Sequence, residues 1–515
     1  MNKAQKADKV FGILIPAVIF FAVVFIFGYF STLGIDPHHD GMMFKPALDV
    51  ARGGMIFRDT FTQYGALATL IQSAGLTLFG KYLITIKFLT VFFYGLVSIL
   101  LYLIMKKILP MAVVCVTLVI WIFLAPFYIL TFLPWSSVYA LFFQLLGTWF
   151  LLIALEKKAS KFIFWGGVST ALVFWCRQPV GFSMCLAVIA CLIYLFFLKQ
   201  LDRNELKKFL FYYIIGYILV NVIFIVWLAA NQALVGWWKQ SILLPIFWAA
   251  QQHASLKLGN AASVTSAVSA TSAVSATSGL SISVSRGISI NGGIMLYLAR
   301  VFLYGWPLLP TIVLIRNTKS RIIALLVFVG LASGLQFYPS HDIWHIYWGG
   351  TPMLGLVVLL IYQFLSSFFA RNRKISKNII NYLTIIVLLL VFCPGITCMV
   401  KQGFKKINEK YYFVNQPAVL KDMRLTEEEV GYCSQIYKKI EQYFADNPRG
   451  NVINSSANIL FLTFDDRIKN VHPLYSNWVT YNILIYPDYD AQMKRYIEAN
   501  KPMILPVETI GPLSH

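Results

Sequence analysis

Apolar residues fall along this chain in long unbroken runs, not in the alternating or one-faced patterns of a soluble fold. A helix crossing about 30 Å of hydrocarbon at about 1.5 Å per residue needs roughly 20 apolar residues. Eleven runs approach that length, at 10–30, 82–105, 110–130, 137–155, 162–176, 180–198, 209–230, 293–315, 322–338, 347–369 and 379–399. They predict an all-α polytopic membrane protein with about 11 transmembrane helices. The polar intervals divide it into a transmembrane module, 1–399, and a small α/β extracytoplasmic C-terminal domain, 400–515. Within that tail, Asn451 to Asn454 reads as a strand, Ala457 to Phe464 as a short helix or second strand, and Asp490 to Ala499 as a helix before the strand-like MILPV.

Two further intervals, 31–81 and 231–292, are long enough to carry function. The first alternates polar and apolar positions and holds Ala47, Val50 and Ala51 at helical spacing, which predicts one or two helices along the membrane surface. The second contains the repeat SAVSAT at 266–271 and again at 272–277. Without charge or large side chains it offers little to bury and is assigned no chemistry. Trp237, Trp238 and Trp248 precede it and read as an interfacial belt.

Composition agrees with the pattern, at 58% hydrophobic and 13% charged residues. The formal charge of +21 would suit nucleic acid if it were spread over one face, but it sits in every second loop. Lys106 and Lys107, then Lys157, Lys158 and Lys161, then Lys199, Arg203, Lys207 and Lys208, then Arg316, Lys319 and Arg321, then Arg371, Arg373, Lys374 and Lys377 mark one side. Under the positive-inside rule that side is cytoplasmic with the N-terminus, and the chain after about residue 400 is outside. The expectation is a multi-pass protein of the cell (plasma) membrane, with membrane lipid and not nucleic acid as its partner. The first run follows Lys3, Lys6 and Lys9 but lacks a small-residue cleavage site, so it reads as a retained anchor. Of seven cysteines only Cys433 lies away from the apolar spans, so the tail is expected to have no internal disulfide.

Charged residues at outward helix ends are costly beside lipid, which marks four groups for chemistry. The first interval reads Asp36, Pro37, His38, His39, Asp40, Gly41 and continues through Arg58, Asp59, Thr60, Phe61, Thr62, Gln63, Tyr64, Gly65. Leu133, Pro134, Trp135, Ser136 and Ser137 form a second group. Trp175, Cys176, Arg177, Gln178 and Pro179 form a third, and Tyr338, Pro339, Ser340, His341, Asp342, Ile343, Trp344 and His345 a fourth. Each has a structural alternative. Asp36 before a proline can simply start a turn, and Asp59 can cap a helix beginning at Thr60. His341 and His345 at i, i+4 suit either a metal or hydrogen-bonded packing. Arg177 suits either snorkelling to the interface or a phosphate clamp.

These residues resemble the GT-C superfamily of integral membrane glycosyltransferases, the polyprenyl-phosphate-sugar enzymes of bacterial type. The resemblance rests on DPHHDG directly after the first helix, FRDTFTQYG about 20 residues later, CRQPVG and YPSHDIWH, in that order and on one face. It implies transfer of a sugar from a polyprenyl-phosphate-linked donor to an acceptor outside the membrane: a cell-surface glycan, teichoic acid, lipid or protein. It implies Asp40 as the catalytic acid of the first loop, taking the acceptor proton or, with His39, helping to hold a divalent cation (Mg or Mn). Many members carry two adjacent acids there; here Asp40 is followed by Gly41, and Asp59 would supply the second carboxylate. Arg177, Gln178, His341, Asp342 and His345 would contact the donor, with Arg58 and Tyr64 lining the substrate site. Competing classes are a transporter or lipid flippase, an O-antigen-type polymerase or ligase, and a scaffolding protein. No internal repeat relates the halves as transporters often show, and the late outer loop is an almost uncharged Ser/Ala/Val repeat where a polymerase usually carries arginines.

Overall fold

The structure is a computed structural model that describes residues 3–247, 250, 308–337, 343–369, 376–455, 458–474 and 485–505. Helices α1 (Lys3–Ser31), α4 (Leu83–Met105), α6 (Ser136–Lys157), α7 (Ser160–Cys176), α8 (Gln178–Phe197) and α9 (Arg203–Ala230) pack against one another in series. Their middle stretches carry few polar residues that would compete with the helical backbone, and α9, which begins in a polar loop, is capped. Asp202 accepts from the Glu205 amide while the Glu205 side chain accepts from the Asp202 amide, a capping box that starts α9 at its basic end. Beyond a short α10 (Leu234–Trp237) come α11 (Leu308–Arg316), α12 (Arg321–Ser333), α13 (Ile343–Gly350), α14 (Leu354–Phe369) and α15 (Lys377–Asn408).

Seven of the described helices are long and apolar enough to cross a membrane: those at Leu14–Ser31, Leu83–Met105, Ser136–Lys157, Gln178–Phe197, Arg203–Ala230, Ile343–Phe369 and Lys377–Asn408. The expected count of about 11 goes beyond this. The runs at 110–130 and 322–338 fold as helices of 13 residues each, cut short by a loop with Pro126 and by a 3-10 turn at Gly334–Phe337, and the run at 162–176 folds as a helix of 17 residues that ends before Arg177. Most of the run at 293–315 lies outside the described residues. On α9, Phe211, Ile218, Val222, Ile223 and Val226 stand exposed, and on α15 Tyr382 and Leu390 do the same. Apolar faces of that extent need lipid, and the chain is a membrane protein.

The interval 31–81 folds into α2 (His39–Ala51) and α3 (Ala66–Phe79). Met43, Phe44, Ala47 and Leu48 are buried, with Val50 and Ala51 partly so, and α2 packs against a 3-10 turn of the tail at Ile459–Thr463. The close approach requires a glycine: a Cβ on Gly41 would lie 2.2 Å from the Leu460 amide nitrogen. The amphipathic face expected along the membrane surface therefore packs under the C-terminal segment.

That segment holds an antiparallel hairpin, β1 (Tyr412–Val414) and β2 (Met423–Leu425), with Phe413 opposite Arg424. It also holds a parallel pair, β3 (Val452–Asn454) and β4 (Met503–Leu505), with Ile453 opposite Ile504. Helices α16 (Glu427–Asp446) and α17 (Tyr489–Asn500) complete it. Strand β3, the turn at Ile459–Thr463, α17 and β4 fall where the sequence places elements; α16 and the hairpin were not anticipated. Its buried residues Leu420, Ile436, Leu460 and Phe461 continue the apolar cluster of α1, α4 and α6, and α15 runs unbroken through position 400. Backbone bonds between Gly34 and Arg424 and from Arg424 to Thr32, both 2.8 Å, splice the hairpin to the chain leaving α1. All seven cysteines are free. The SAVSAT repeats and Trp248 lie outside the described residues.

Candidate active site

The chain leaves α1 at Ser31 and turns at Asp36, whose Oδ1 accepts from the amides of His38 at 3.1 Å and His39 at 2.9 Å. This is the turn-forming role the sequence allowed it. Its other oxygen meets His39 Nδ1 at 2.7 Å, and both side chains keep about 30% exposure, 32% for Asp36 and 28% for His39. Burial pushes the Asp36 carboxyl up, but the charge and hydrogen bond of His39, with His38 beside it, outweigh that and hold it well below the usual carboxylate range.

Asp40 sits one helical turn on and is fully buried. Its Oδ2 takes the Lys87 ammonium at 3.0 Å and the Asp36 amide at 3.0 Å, and Lys87 is equally buried and also reaches the Gly34 carbonyl at 3.3 Å. Asp40 Oδ1 has no hydrogen-bond partner. Burial pushes this carboxyl up to about 6, with the Asp36 charge adding to it and Lys87 opposing it. Two carboxyl groups four residues apart are thus driven in opposite directions, one kept ionised and one poised near neutrality, a pattern that separates roles at acid–base sites.

Around this pair the separated sequence groups meet. The His39 ring lies 5.2 Å from Trp135, and the Tyr64 ring lies 5.2 Å from the same indole. Gln63 Nε2 donates to Tyr64 Oη at 2.8 Å. Trp135 stacks on Trp348 at 6.4 Å and 10°, and His345 sits edge-on to Trp348 at 5.6 Å. Trp348 Nε1 in turn donates to Tyr94 Oη at 2.7 Å. Next to Trp135 on α6, Ser137 Oγ accepts from Arg177, which occupies the extended link between α7 and α8. Gly65 brings the first interval onto that link, donating to the Cys176 carbonyl at 3.3 Å; a Cβ there would lie 2.0 Å from the Trp175 carbonyl oxygen. Gln178, the first residue of α8, is buried with its Nε2 unpartnered.

Asp59 and Arg58 belong to a different neighbourhood. They pair with each other at 2.8 Å, Asp59 accepts from the Met55 amide at 2.7 Å, and Arg58 reaches the Asn231 carbonyl at 3.3 Å. Arg58 holds the Asp59 carboxyl below its ordinary value. Asp59 caps no helix, since α3 begins at Ala66, and among the described residues no hydrogen bond or ion pair joins it to Asp40. Its carbonyl instead accepts from Asn470 of the tail at 2.5 Å, beside a buried Lys45–Asp49 pair at 2.5 Å on α2 that also engages Thr60 and Asn470. His341 and Asp342 lie outside the described residues, so the i, i+4 pairing with His345 does too.

The arrangement does not suit a cation on Asp40 and His39. His39 Nδ1 faces Asp36, Asp40 Oδ2 faces Lys87, and a divalent ion at Asp40 would stand against that ammonium. Among the described residues no three His, Cys, Asp or Glu side chains gather as a metal-binding set.

Sequence reasoning passed over Lys87, although a lysine inside the apolar stretch from Leu83 to Phe93 is the signal it uses elsewhere. It also gave Trp135 no role, because nothing in one sequence shows which of 13 tryptophans becomes a hub. Trp237, read as part of an interfacial belt, is buried against Trp175 at 5.2 Å, whereas Trp238 is half exposed.

No protein-family model matches the sequence, and no curated protein matches it. Among solved structures the chain is similar to the Archaeoglobus fulgidus oligosaccharyltransferase in the apo form, at 12% identity and a TM-score of 0.53, over 94% of this chain and 69% of that one. It is similar to the archaeal oligosaccharyltransferase AglB from Archaeoglobus fulgidus in complex with an inhibitory peptide and a dolichol-phosphate, at 12% identity and a TM-score of 0.54, over 92% of this chain and 65% of that one. The chain therefore spans about two thirds of the length of these proteins. At such identity the likeness is one of fold: the chain shares the fold of these archaeal oligosaccharyltransferases.

Proposed function

We propose that this protein is a glycosyltransferase that moves a sugar from a polyprenyl-phosphate-linked donor to a cell-envelope acceptor on the outer face of the membrane. The observation that carries the reading is that residues far apart in the chain gather around Trp135 beside the Asp36–Asp40 pair: His39 and Tyr64 touch it, Trp348 links it to His345, and Arg177 donates to neighbouring Ser137. The fold adds support, as does the dolichol-phosphate bound to one structure that shares it.

In this reading the lipid tail stays in the bilayer and the phosphate reaches Arg177, whose planar, permanently charged guanidinium matches phosphate oxygens. The acceptor hydroxyl approaches from the Asp36–His39 side. Asp40 takes the acceptor proton through Oδ1, for which a carboxyl raised to about 6 is suited at neutral pH. The new bond forms at the anomeric carbon as its bond to phosphate oxygen breaks, and the leaving phosphate's charge is met by Arg177, with His345 nearby. Asp36, kept ionised, holds the His38–His39 turn. No step is routed through a cation.

The test is transfer by the purified protein in nanodiscs, supplied with a panel of synthetic polyprenyl-phosphate sugars and an envelope extract. Sugar should move from at least one donor into extract material. If no donor is consumed while the folded protein is intact, the reading fails.

A further inference from the structure

Three glutamines flank the outer half of α8, and the function above does not explain them. Gln144 and Gln336 are fully buried, and neither the nitrogen nor the oxygen of either amide has a hydrogen-bond partner; Gln178 is buried with its nitrogen unpartnered. They sit on, or at the end of, three helices that pack against one another, α6, α8 and α12. Ser183 on α8 donates to the Ala332 carbonyl on α12 at 3.0 Å, which sets the two helices side by side. Gln178 lies outward of that bond on α8, and Gln336 lies one turn outward of it, in the 3-10 turn that packs on both α8 and α13. Gln144 lies on α6 two turns below Ser137, the partner of Arg177, and one turn above Gly147, where an added Cβ would meet Ser169 of α7 at 3.1 Å and Met184 of α8 at 3.3 Å. Trp135 Nε1 and Ser136 Oγ, at the top of α6, are buried and unpartnered as well.

A membrane interior has no water to satisfy such groups, and apolar side chains of the same size would serve packing better. An amide presents both a donor and an acceptor, which is what a sugar hydroxyl requires. None of the three glutamines brings a charge, and the neighbouring Arg177 is taken by the donor phosphate in this reading, so a charged sugar substituent would be buried among them without a counter-ion of its own. We propose that Gln144, Gln178 and Gln336 form the floor that recognises the donor's sugar through its hydroxyls, and that the sugar is uncharged. This rests on the glycosyltransferase reading and adds the class of sugar to it.

Binding is measured in nanodiscs to three probes: a polyprenyl-phosphate glucose, the same polyprenyl phosphate without sugar, and a polyprenyl-phosphate 4-amino-4-deoxyarabinose. Wild-type protein should prefer the glucose lipid to the bare phosphate by about 10-fold or more, the scale of one or two well-made hydrogen bonds. Gln144→Leu and Gln336→Leu should lose that preference, keep the affinity for bare polyprenyl phosphate, and unfold no earlier than wild type; Gln336→Met repeats the test with a side chain of closer shape. The proposal is overturned if the variants keep the preference, if they unfold markedly earlier, as partnered amides would, or if the amino sugar binds as tightly as glucose. Failure of wild-type protein to bind any of the three lipids would instead remove the glycosyltransferase reading, and this inference with it.

Discussion

Asp40 offers the sharpest perturbation, because it is at once the proposed base and the counter-charge of a buried lysine. At 3.0 Å its attraction to Lys87 is about 5 kcal/mol for an effective dielectric of about 20, before the cost of desolvating both groups. Asp40→Asn leaves the Lys87 ammonium buried and unpaired, which costs about 3–5 kcal/mol. Loss of activity in that variant would therefore be ambiguous. Asp40→Asn combined with Lys87→Met removes both charges, and a neutral pair of similar volume should recover most of the lost stability. The two roles then separate. A chemical role predicts that the double variant folds like wild type yet transfers about 100-fold more slowly per folded molecule, the scale of a general base. Wild-type turnover should also fall as pH drops below about 6, where the Asp40 carboxyl takes up its proton. The stability contribution has the opposite sense. Between the ordinary carboxyl value of 3.8 and about 6 the folded protein holds a proton that the unfolded chain has lost, so Asp40 reduces stability as pH rises through that window. Stability by denaturant titration and turnover by radiolabelled transfer settle the matter. Near-normal turnover in the stable double variant would refute the base assignment and leave Asp40 as a counter-ion only.

Arg177→Ala should raise the donor concentration needed for half-maximal rate by about 10-fold or more, the loss of a charge-assisted phosphate contact; unchanged donor kinetics would reduce Arg177 to packing against Ser137. Gly65→Ala pushes the first interval off the Trp175 carbonyl, and a displacement near 1 Å should slow transfer by about 100-fold; wild-type rates in that variant would mean the interval does not shape the site. His472, buried beside Gln240 and Tyr486, is held by burial down to about 4, with Asp59 opposing and Lys45 assisting. The folded state therefore excludes a proton that the unfolded chain binds below about 6.5, and about 3 kcal/mol of stability should be lost as pH falls from 6.5 to 4. A flat profile over that range, or one that His472→Asn does not flatten, would contradict this. An impermeant thiol reagent should label single cysteines placed in 31–81 and in the tail but not near Lys157; labelling of the tail only after permeabilisation would reverse the topology.

Much of this was legible in the sequence, for identifiable reasons. Long apolar helices leave a record in every residue they contain, so α1, α4, α6, α8, α9 and α15 fall on the predicted runs. The motif groups were legible because polar residues at helix ends stand out against an apolar background. The burial of α2 was not, because the same face suits lipid or protein, and only Leu460, more than 400 positions away, decides which. Helix α16 was missed although its signals were present: Thr426 and Glu429 form a capping box, and Cys433, Ile436, Ile440 and Phe444 follow at helical spacing. The role of Glu429 was beyond reach, since its carboxylate accepts from the Ile35 amide at 3.2 Å across the whole module. The neighbourhood of Asp59 shows the same limit: the family resemblance implied a site shared with Asp40, while the fold sends it to Arg58 and Asn470.

The central claim is that the bond between sugar and lipid phosphate is broken at this site. It is tested most directly in sealed proteoliposomes given one equivalent of polyprenyl-phosphate sugar labelled in both halves, with an acceptor fraction outside. The account predicts polyprenyl phosphate released in equal amount to sugar gained by the acceptor, with neither formed by the Asp40→Asn, Lys87→Met protein. Intact donor recovered from the opposite leaflet, with no free polyprenyl phosphate, would contradict it and identify a transporter of the lipid instead.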